Sequence, residues 1–403
     1  MAIAWGRGLN FWLVAMVSGL FLASTCLAGE RPAPPAGVDL EYMPKLQRGQ
    51  VLGTTIYGSA DLESLSSAAE IEFQRLIDGG MRGFTLYVDW PDLESAPGMF
   101  ALGELLNSLD MLSDLGLQVF LNITVGNIGD YNLPTDLSDG EGGLAPGVQL
   151  NQPSVIARFG ALLDELVPEL ALRDVFLLGL GNEVDERLDH ASLDELNAYR
   201  DFVLAGRNHV HGLVPDLPVT VTVTAKAIRD QSATWLGISQ AVDLAAFNYA
   251  PIDQDWFVFE IADIAADLDQ ILALAGDGPL VIQELTCPSA PSMGASEQWQ
   301  SSCLDVLFDR IIANRNIRFV SIFTLEDLGG AVCSAVQDVF LPALSGLPTD
   351  FIERFLDYLC AIGIIAEDGS AKPSLNAVLQ ALDRLPSART RLRRMAGERP
   401  PAE

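Results

Sequence analysis

The chain has 403 residues, of which 49% are hydrophobic, and its 24 basic and 54 acidic side chains give a formal net charge of −30. This size and apolar content support a large buried core and exclude a mainly disordered chain. The negative charge argues against nucleic acid and anionic lipid as partners, because both are bound by clustered Lys and Arg. A neutral or cationic small substrate remains compatible with it.

The first 28 residues have the pattern of an export signal. Arg7 precedes an apolar stretch from Phe11 to Ala23, and small residues stand at the two positions that determine cleavage, Cys26 and Ala28. We therefore expect cleavage after Ala28 and a secreted or periplasmic mature chain, with no membrane association after cleavage. Two alternatives stay open, a retained membrane anchor and attachment of a lipid to Cys26.

The remainder of the chain divides into three parts. Residues 29–45 are rich in Pro, which predicts an extended lead-in. Residues 46–385 carry the apolar patterns of one folded domain. Residues 386–403 include five arginines and few apolar side chains, which predicts a disordered basic tail.

Short apolar runs alternate with helical patterns between residues 50 and 385. In chain order, the predicted strands are Val51–Tyr57, Gly83–Val88, Gln118–Thr124, Val175–Leu180, Val219–Thr224, Leu244–Asn248, Leu280–Gln283 and Phe319–Thr324. Several lack the alternation of a half-exposed strand, which favours parallel strands buried on both faces. Between them, helical periodicity is clear in Leu62–Asp78 and Ser154–Leu172. Eight strand–helix units in series predict a single (β/α)₈ barrel, a TIM barrel of the α/β class.

The alternative to a barrel is an open, doubly wound sheet. A dinucleotide-binding sheet of that kind carries Gly-x-Gly-x-x-Gly after its first strand, and this motif is missing here. The barrel is therefore the preferred prediction.

Polar residues at the carboxyl ends of the strands are the candidates for chemistry, because barrel active sites lie at that end. The polar residues that end the predicted strands are Tyr57, Asp89, Trp90, Asn127, Asn182, Glu183, Lys226, Tyr249, Glu284, Glu326 and Asp327. Glu183 and Glu284 stand out, since each closes a polar pair after an apolar run. One carboxylic acid can protonate a leaving oxygen and one carboxylate can stabilise an oxocarbenium-like centre. Two opposed glutamates therefore suit the cleavage of a sugar acetal.

The sequence around both glutamates resembles a known group of enzymes. The segments 181–183 (Gly-Asn-Glu) and 281–284 (Val-Ile-Gln-Glu) are similar to the two active-site motifs of clan A glycoside hydrolases, which are retaining (β/α)₈ enzymes. Residues 90–100 resemble the turn of that clan after strand two, and 247–249 (Phe-Asn-Tyr) resemble its sixth strand. Residues 363–373 are similar to the segment after the last strand. The resemblance covers nearly all of residues 50–385.

The resemblance implies roles for four residues. Glu183 would be the general acid/base and Glu284 the nucleophile. Asn182 would hold the substrate 2-hydroxyl, and Tyr249 would orient Glu284 by a hydrogen bond that favours its ionised form. The sequence departs from the clan in having no Arg within the second strand and in having Phe323 where Trp is frequent.

Further residues near the strand ends are candidates for substrate binding. Trp90 and Trp256 could stack on sugar faces, and the alternative for each aromatic ring is packing in the core. Asn127 and Phe323 complete the expected substrate-binding set. The segment from Gly126 to Leu150 is expected to overhang the cleft, with a disordered insertion as the alternative.

Cysteine and histidine spacing predicts disulfides and argues against a metal. Four cysteines follow the signal, namely Cys287, Cys303, Cys333 and Cys360. In an exported chain they predict two disulfides, with three connectivities open. No Cys-x-x-Cys occurs, and His209 and His211 are two residues apart on a predicted helix and cannot share a face. We expect no metal and no cofactor.

Together these features predict an exported, monomeric, retaining β-glycoside hydrolase that acts on a plant- or microbial-type poly- or oligosaccharide. A barrel that binds carbohydrate without cleaving it is the alternative. A secreted barrel lyase or isomerase is a third possibility. The sequence does not identify the sugar.

Overall fold

A closed ring of parallel strands forms the centre of the fold in the computed structural model, which describes residues 50–56, 66–341 and 344–385. The strands are β1 (Val51–Thr54), β2 (Gly83–Val88), β3 (Gln118–Ile123), β4 (Val175–Gly179), β5 (Val219–Thr220 and Thr222–Thr224), β6 (Ala245–Tyr249), β7 (Leu280–Leu285) and β8 (Ile317–Ile322). The first half of β5 pairs with β4 and its second half with β6, while β1 pairs with both β2 and β8. The ring is therefore closed, which confirms the (β/α)₈ barrel and excludes the open sheet.

Helices surround the ring and follow most of its strands. They are α1 (Ser67–Asp78), α2 (Trp90–Leu93), α3 (Gly103–Asp114), α4 (Pro153–Ala171), α5 (Asp185–Leu188), α6 (Leu193–Leu213), α7 (Ala225–Arg229), α8 (Ala233–Ile238), α9 (Ile261–Ala275), α10 (Glu297–Ala313), α11 (Gly330–Phe340), α12 (Thr349–Cys360) and α13 (Pro373–Arg384). The predicted helix at Leu62–Asp78 corresponds to α1. Ser66 caps α1, because its Oγ accepts a hydrogen bond from the backbone N–H of Ala69 at 3.1 Å.

The interior of the barrel is filled by large apolar side chains from several strands. Phe319 on β8 lies with its ring centroid 5.1 Å from that of Phe176 on β4 and 6.2 Å from that of Phe120 on β3. A Cβ atom on Gly83 would lie 2.4 Å from the Phe319 ring, so glycine at this position leaves room for it. Burial of each ring stabilises the fold by roughly 1.5–3 kcal/mol. Apolar side chains therefore fill the barrel interior, and polar residues occupy the carboxyl ends of the strands.

Two helices inserted between β8 and α13 form a hairpin at the carboxyl side of the barrel. Helices α11 and α12 share a small apolar cluster of their own. Arg354 on α12 donates to the backbone oxygen of Asp255 in the segment after β6 at 2.6 Å. Ser292, after β7, donates to Asp357 on α12 at 2.6 Å. The α11–α12 hairpin therefore stands beside the ends of β6, β7 and β8.

Both expected disulfides are present, and the structure resolves their pairing. Cys287, after β7, is bonded to Cys303 on α10. Cys333 on α11 is bonded to Cys360 on α12. Each bridge joins neighbouring cysteines in the sequence, so each holds one local segment of the last third of the chain.

The predictions for residues 1–28, 29–45 and 386–403 concern segments outside the described residues, as does Tyr57. Within the part of the chain that the structure describes, no helix is long and apolar enough to cross a bilayer.

Candidate active site

Glu183 lies just past the end of β4, on a turn that the surrounding side chains fix. A Cβ atom on Gly181 would lie 2.2 Å from the hydroxyl of Tyr199, and Gly181 has φ +145°, so a side chain is excluded there. Glu183 itself has φ +48°, a left-handed conformation that costs roughly 1–3 kcal/mol and is enriched at active sites. The side chain reaches β6, where Nδ2 of Asn248 donates to its Oε1 at 3.0 Å.

Glu284 is carried by β7, and a β-bulge brings it to the site. Phe247 of β6 is opposite Ile282, but Asn248 is opposite Glu284, so Gln283 is an additional residue in β7. A bulge of this kind changes which side chains face the interior, and it allows both Gln283 and Glu284 to contact residues inside the barrel. The hydroxyl of Tyr87 on β2 donates to Oε1 of Glu284 at 2.6 Å.

The two carboxyl groups interact electrostatically. Burial, and then the charge of Glu284, raise the pKa of Glu183 well above its ordinary value. Burial raises the pKa of Glu284 to about 7, against the opposing effect of hydrogen bonds from Tyr87, Gln283, Asn248 and Asn182. Both groups therefore keep a proton to higher pH than an exposed glutamate does, and the charge of one disfavours ionisation of the other.

Asn182 and Asn127 are part of the same arrangement. Oδ1 of Asn182 accepts hydrogen bonds from Gln283 at 2.6 Å and from Asn248 at 3.1 Å. Its Nδ2 donates to Oδ1 of Asn127 at 3.1 Å. The structure therefore places Asn182 between residues that contact Glu183 and residues that contact Glu284, and it brings Asn127 alongside.

Tyr249 does not contact Glu284, so the prediction of a hydrogen bond between them is wrong. The Tyr249 hydroxyl donates to Oδ2 of Asp267 on α9 at 2.9 Å, and Tyr249 is buried. Arg229 also binds Asp267, at 2.9 Å. Successive side chains of a strand point to opposite faces, and because Asn248 faces the interior, Tyr249 faces the helices.

Tyr87 makes the contact that was expected of Tyr249, and it is not among the residues predicted from the sequence. Tyr87 lies two residues after Thr85 in β2, on the same face of the strand. A polar side chain near the end of an otherwise apolar buried strand was the only signal for it in the sequence.

Trp90 is a core residue, so the prediction that it stacks on sugar is wrong. Its side chain is fully buried, its ring lies 4.8 Å from Phe159 and 6.1 Å from Phe202, and its Nε1 donates to Glu94 at 2.8 Å. The short helix α2 turns the ring inward after β2, toward α4 and α6. No face of the ring is left for a ligand.

Trp256 and Phe323 are both partly exposed at the carboxyl side of the barrel. Trp256 follows β6 and packs against Phe355 and Tyr358 of α12, with ring centroids 4.8 and 5.1 Å apart. Phe323 follows β8 and is joined to Thr324 by a cis peptide bond. Their contact with substrate stays a prediction.

The segment 126–150 is ordered, so the alternative of a disordered insertion is wrong. It opens with a two-stranded hairpin, Gly126–Asn127 with Asp130–Tyr131. Arg187 on α5 donates to the backbone oxygens of Gly129 and Gly142, each at 3.3 Å. The guanidinium of Arg187 also lies 4.3 Å from the centroid of the Tyr131 ring.

Other ionisable candidates are paired with protein groups. Glu326 accepts from the Ser66 hydroxyl at 2.7 Å, and Asp327 forms an ion pair with Lys372 at 2.5 Å. His209 contacts Asp164 and His211 contacts Asp243. Among the described residues, no cluster of His, Cys, Asp and Glu could hold a metal ion.

Comparison with solved structures finds the same architecture in glycoside hydrolases. A variant of GH5_18 from Streptomyces cattleya, in complex with Manβ1-4GlcNAc, has a TM-score of 0.60 at 16% identity, covering 83% of this chain and 80% of its own. GH5_18 from Bifidobacterium longum subsp. longum has a TM-score of 0.61 at 13% identity, with 88% and 81% covered. The chain has the barrel fold of these hydrolases.

An exo-β-1,4-mannosidase, Op5Man5 from Opitutaceae bacterium strain TAV5, has a TM-score of 0.55 at 16% identity, covering 83% of this chain and 59% of its own. No protein-family profile and no curated protein sequence matches the chain. At these identities the likeness establishes the fold.

Proposed function

We propose that the protein is a retaining β-glycoside hydrolase in which Glu183 is the general acid/base and Glu284 the nucleophile. The observation that carries this proposal is that one hydrogen-bonded network holds both carboxyl groups at the carboxyl ends of β4 and β7. Asn248 donates to Glu183, Tyr87 donates to Glu284, and Gln283 and Asn182 connect the two. The raised pKa of each group fits a site in which one carboxyl keeps its proton near neutral pH. The structural neighbours, which are glycoside hydrolases of the same fold, also support it.

In the first step, Glu183 donates its proton to the glycosidic oxygen while the carboxylate of Glu284 attacks the anomeric carbon. The bond from this carbon to the leaving oxygen breaks, and an ester bond to Glu284 forms. In the second step, Glu183 takes a proton from water as the water oxygen attacks the anomeric carbon. The ester bond breaks, Glu284 is regenerated, and the product keeps the β configuration.

The hydrogen bonds of the site fit these roles. Oε1 of Glu183 accepts from Asn248, so the acidic proton is carried by Oε2. Oε1 of Glu284 accepts from Tyr87, a contact that favours the charged form of the nucleophile. Asn182 lies between the two and is the residue we propose for the substrate 2-hydroxyl, with Asn127 as its partner.

We propose a β-linked poly- or oligosaccharide as substrate, with β-mannosides tested first. The Streptomyces cattleya structure contains Manβ1-4GlcNAc, and Op5Man5 is an exo-β-1,4-mannosidase. The two disulfides fit an extracellular or periplasmic protein. We propose export with cleavage after Ala28, lipid attachment at Cys26 as the alternative, and a monomeric mature protein.

The test is turnover by the purified mature chain, using 2,4-dinitrophenyl β-glycosides and a panel of β-linked oligosaccharides. Glu183→Ala should lose about 10²–10⁴-fold in kcat/KM on the oligosaccharides, but much less on dinitrophenyl glycosides, whose leaving group needs little protonation. Glu284→Ala should lose activity on both substrates. Glu165→Gln, at an exposed position of α4, is the matched control and should keep wild-type activity.

Added azide and product stereochemistry separate the roles further. With Glu183→Ala, azide should restore turnover and give the β-glycosyl azide, because it attacks the glycosyl ester without needing a base. With Glu284→Ala, azide takes the place of the nucleophile and should give the α-glycosyl azide. Wild-type activity in both variants would refute the assignment. Sugar binding without turnover in the wild type would support the non-catalytic barrel instead.

A further inference from the structure

The two glutamates are connected by a chain of neutral side chains whose donor and acceptor atoms can be assigned. The chain starts at Asn122 on β3, which is buried. Its Oδ1 accepts from the backbone N–H of Gly181 at 3.1 Å, and its Nδ2 donates to the backbone oxygen of Gly181 at 3.0 Å. A backbone N–H can only donate, so the orientation of this amide is fixed.

The orientation of Gln283 follows from that of Asn122. Nδ2 of Asn122 donates to Oε1 of Gln283 at 2.7 Å, and the hydroxyl of Thr222 donates to the same oxygen at 2.6 Å. The amide nitrogen of Gln283 must therefore point the other way. It donates to Oδ1 of Asn182 at 2.6 Å and to the hydroxyl oxygen of Tyr87 at 3.3 Å. Gln283 is fully buried, and both of its polar atoms have partners.

These assignments determine which atoms donate the hydrogen bonds to the two carboxyl groups. Tyr87 has a single hydroxyl proton, and because its oxygen accepts from Gln283, that proton is directed to Glu284, 2.6 Å away. On the other branch, Oδ1 of Asn182 is an acceptor, so Asn248 must present its Nδ2 there. The same nitrogen donates to Glu183 at 3.0 Å.

We propose that Tyr87 is the positioning residue of Glu284 and that Gln283 fixes the direction in which the Tyr87 hydroxyl donates. This inference rests on the proposed function of Glu284 as the nucleophile. Tyr87 holds one carboxylate oxygen in place and stabilises negative charge at a buried position. Gln283 connects this contact to Asn182, beside Glu183, so that the two halves of the site keep a common geometry.

The first test compares Tyr87→Phe with Tyr249→Phe. Each variant loses one buried phenolic hydroxyl, but only that of Tyr87 contacts Glu284, while that of Tyr249 contacts Asp267. Tyr87→Phe should lower kcat about 10- to 100-fold with little change in KM, since the lost bond is to an ionised group. The acidic limb of its kcat/KM profile should move to higher pH. Tyr249→Phe should keep the wild-type pH profile. A wild-type profile in Tyr87→Phe would overturn the proposal.

A second measurement does not depend on activity. In protein labelled with ¹³C at the glutamate carboxyl carbons, the Glu284 signal is the one lost in Glu284→Gln. It should titrate at higher pH in Tyr87→Phe than in the wild type and at the wild-type pH in Tyr249→Phe. If this shift is observed but the wild-type protein shows no turnover, the proposed hydrolase activity is refuted and the positioning role of Tyr87 is supported. If the wild-type protein shows turnover but the Glu284 signal does not shift in Tyr87→Phe, the positioning role is refuted and the hydrolase activity is supported.

The role of Gln283 is tested in the background of Gln283→Met, a neutral replacement of similar length. Without the Gln283 amide, the Tyr87 hydroxyl can accept from the protonated form of Glu284 as well as donate to its carboxylate, so it no longer favours the charged form alone. The further effect of Tyr87→Phe on the Glu284 titration should therefore be less than half of its effect in the wild type. Equal effects in the two backgrounds would show that Tyr87 acts independently of Gln283.

Discussion

Glu284→Gln should stabilise the fold above neutral pH, because the wild-type protein must hold a buried carboxylate there. Burial raises the pKa of Glu284 from 4.5 to about 7. Between these values the folded protein keeps a proton that the unfolded chain has released. The free energy of unfolding therefore falls by about 1.4 kcal/mol for each pH unit in this interval. The contribution of Glu284 to stability is therefore most favourable below pH 4.5, and above pH 7 the loss due to Glu284 reaches about 3 kcal/mol.

Urea denaturation followed by tryptophan fluorescence measures this effect at pH 5 and pH 8. The introduced glutamine would keep an oxygen that can accept from Tyr87, so the substitution removes the charge and preserves the contact. The stability gain of the variant over the wild type should grow by about 2–3 kcal/mol from pH 5 to pH 8. Glu70→Gln, at an exposed position of α1, controls for the loss of one negative charge. A gain that does not change with pH would refute the reasoning.

Three further predictions concern the pH optimum, the core and the α11–α12 hairpin. Turnover should rise as the pH increases through about 7, where Glu284 ionises, and an acidic limb near pH 4.5 in the kcat/KM profile would contradict this. Trp90→Phe should lower the free energy of unfolding by about 2 kcal/mol and leave KM within about twofold of the wild-type value, because the ring is buried. A large rise in KM would indicate that the ring contacts the substrate. Replacing Cys333 and Cys360 together by Ser should cost about 3–4 kcal/mol in urea denaturation, since their bridge spans 27 residues; unchanged stability would show that the bridge does not constrain the unfolded chain.

The barrel could be predicted because strands buried on both faces are continuous apolar runs, which the sequence shows directly. β2 has the predicted bounds, Gly83–Val88, and β5 begins and ends as predicted with a break at Val221, while the other strands differ at their ends by one to three residues. The positions of Glu183 and Glu284 at the carboxyl ends of β4 and β7 could be predicted for a related reason. An abrupt change from apolar to polar residues marks the carboxyl end of a buried parallel strand, and in a barrel those ends converge.

The partners of the glutamates could not be predicted, because they depend on which face of a strand each residue occupies. A shift of one position exchanges the two faces, and in β6 the interior residue is Asn248, with Tyr249 on the outside. In β7 the bulge at Gln283 interrupts the alternation, and no residue in the sequence signals it. Trp90 was misplaced for another reason, since a buried and an exposed tryptophan after a strand look alike in a sequence.

The frame that connects Tyr87, beside Glu284, to Glu183 is made of amides and one aliphatic hydroxyl, from Asn122, Gln283, Asn182, Asn248 and Thr222. Amides and aliphatic hydroxyls carry no charge at any pH at which the protein is folded, and dissolved ions do not screen bonds between buried neutral groups. Ionic strength and pH therefore act on the two carboxyl groups and on the acidic surface, and leave the frame between them unchanged. Surface charge could drift over evolution, or be redesigned for saline or acidic media, with the spacing of the glutamates preserved.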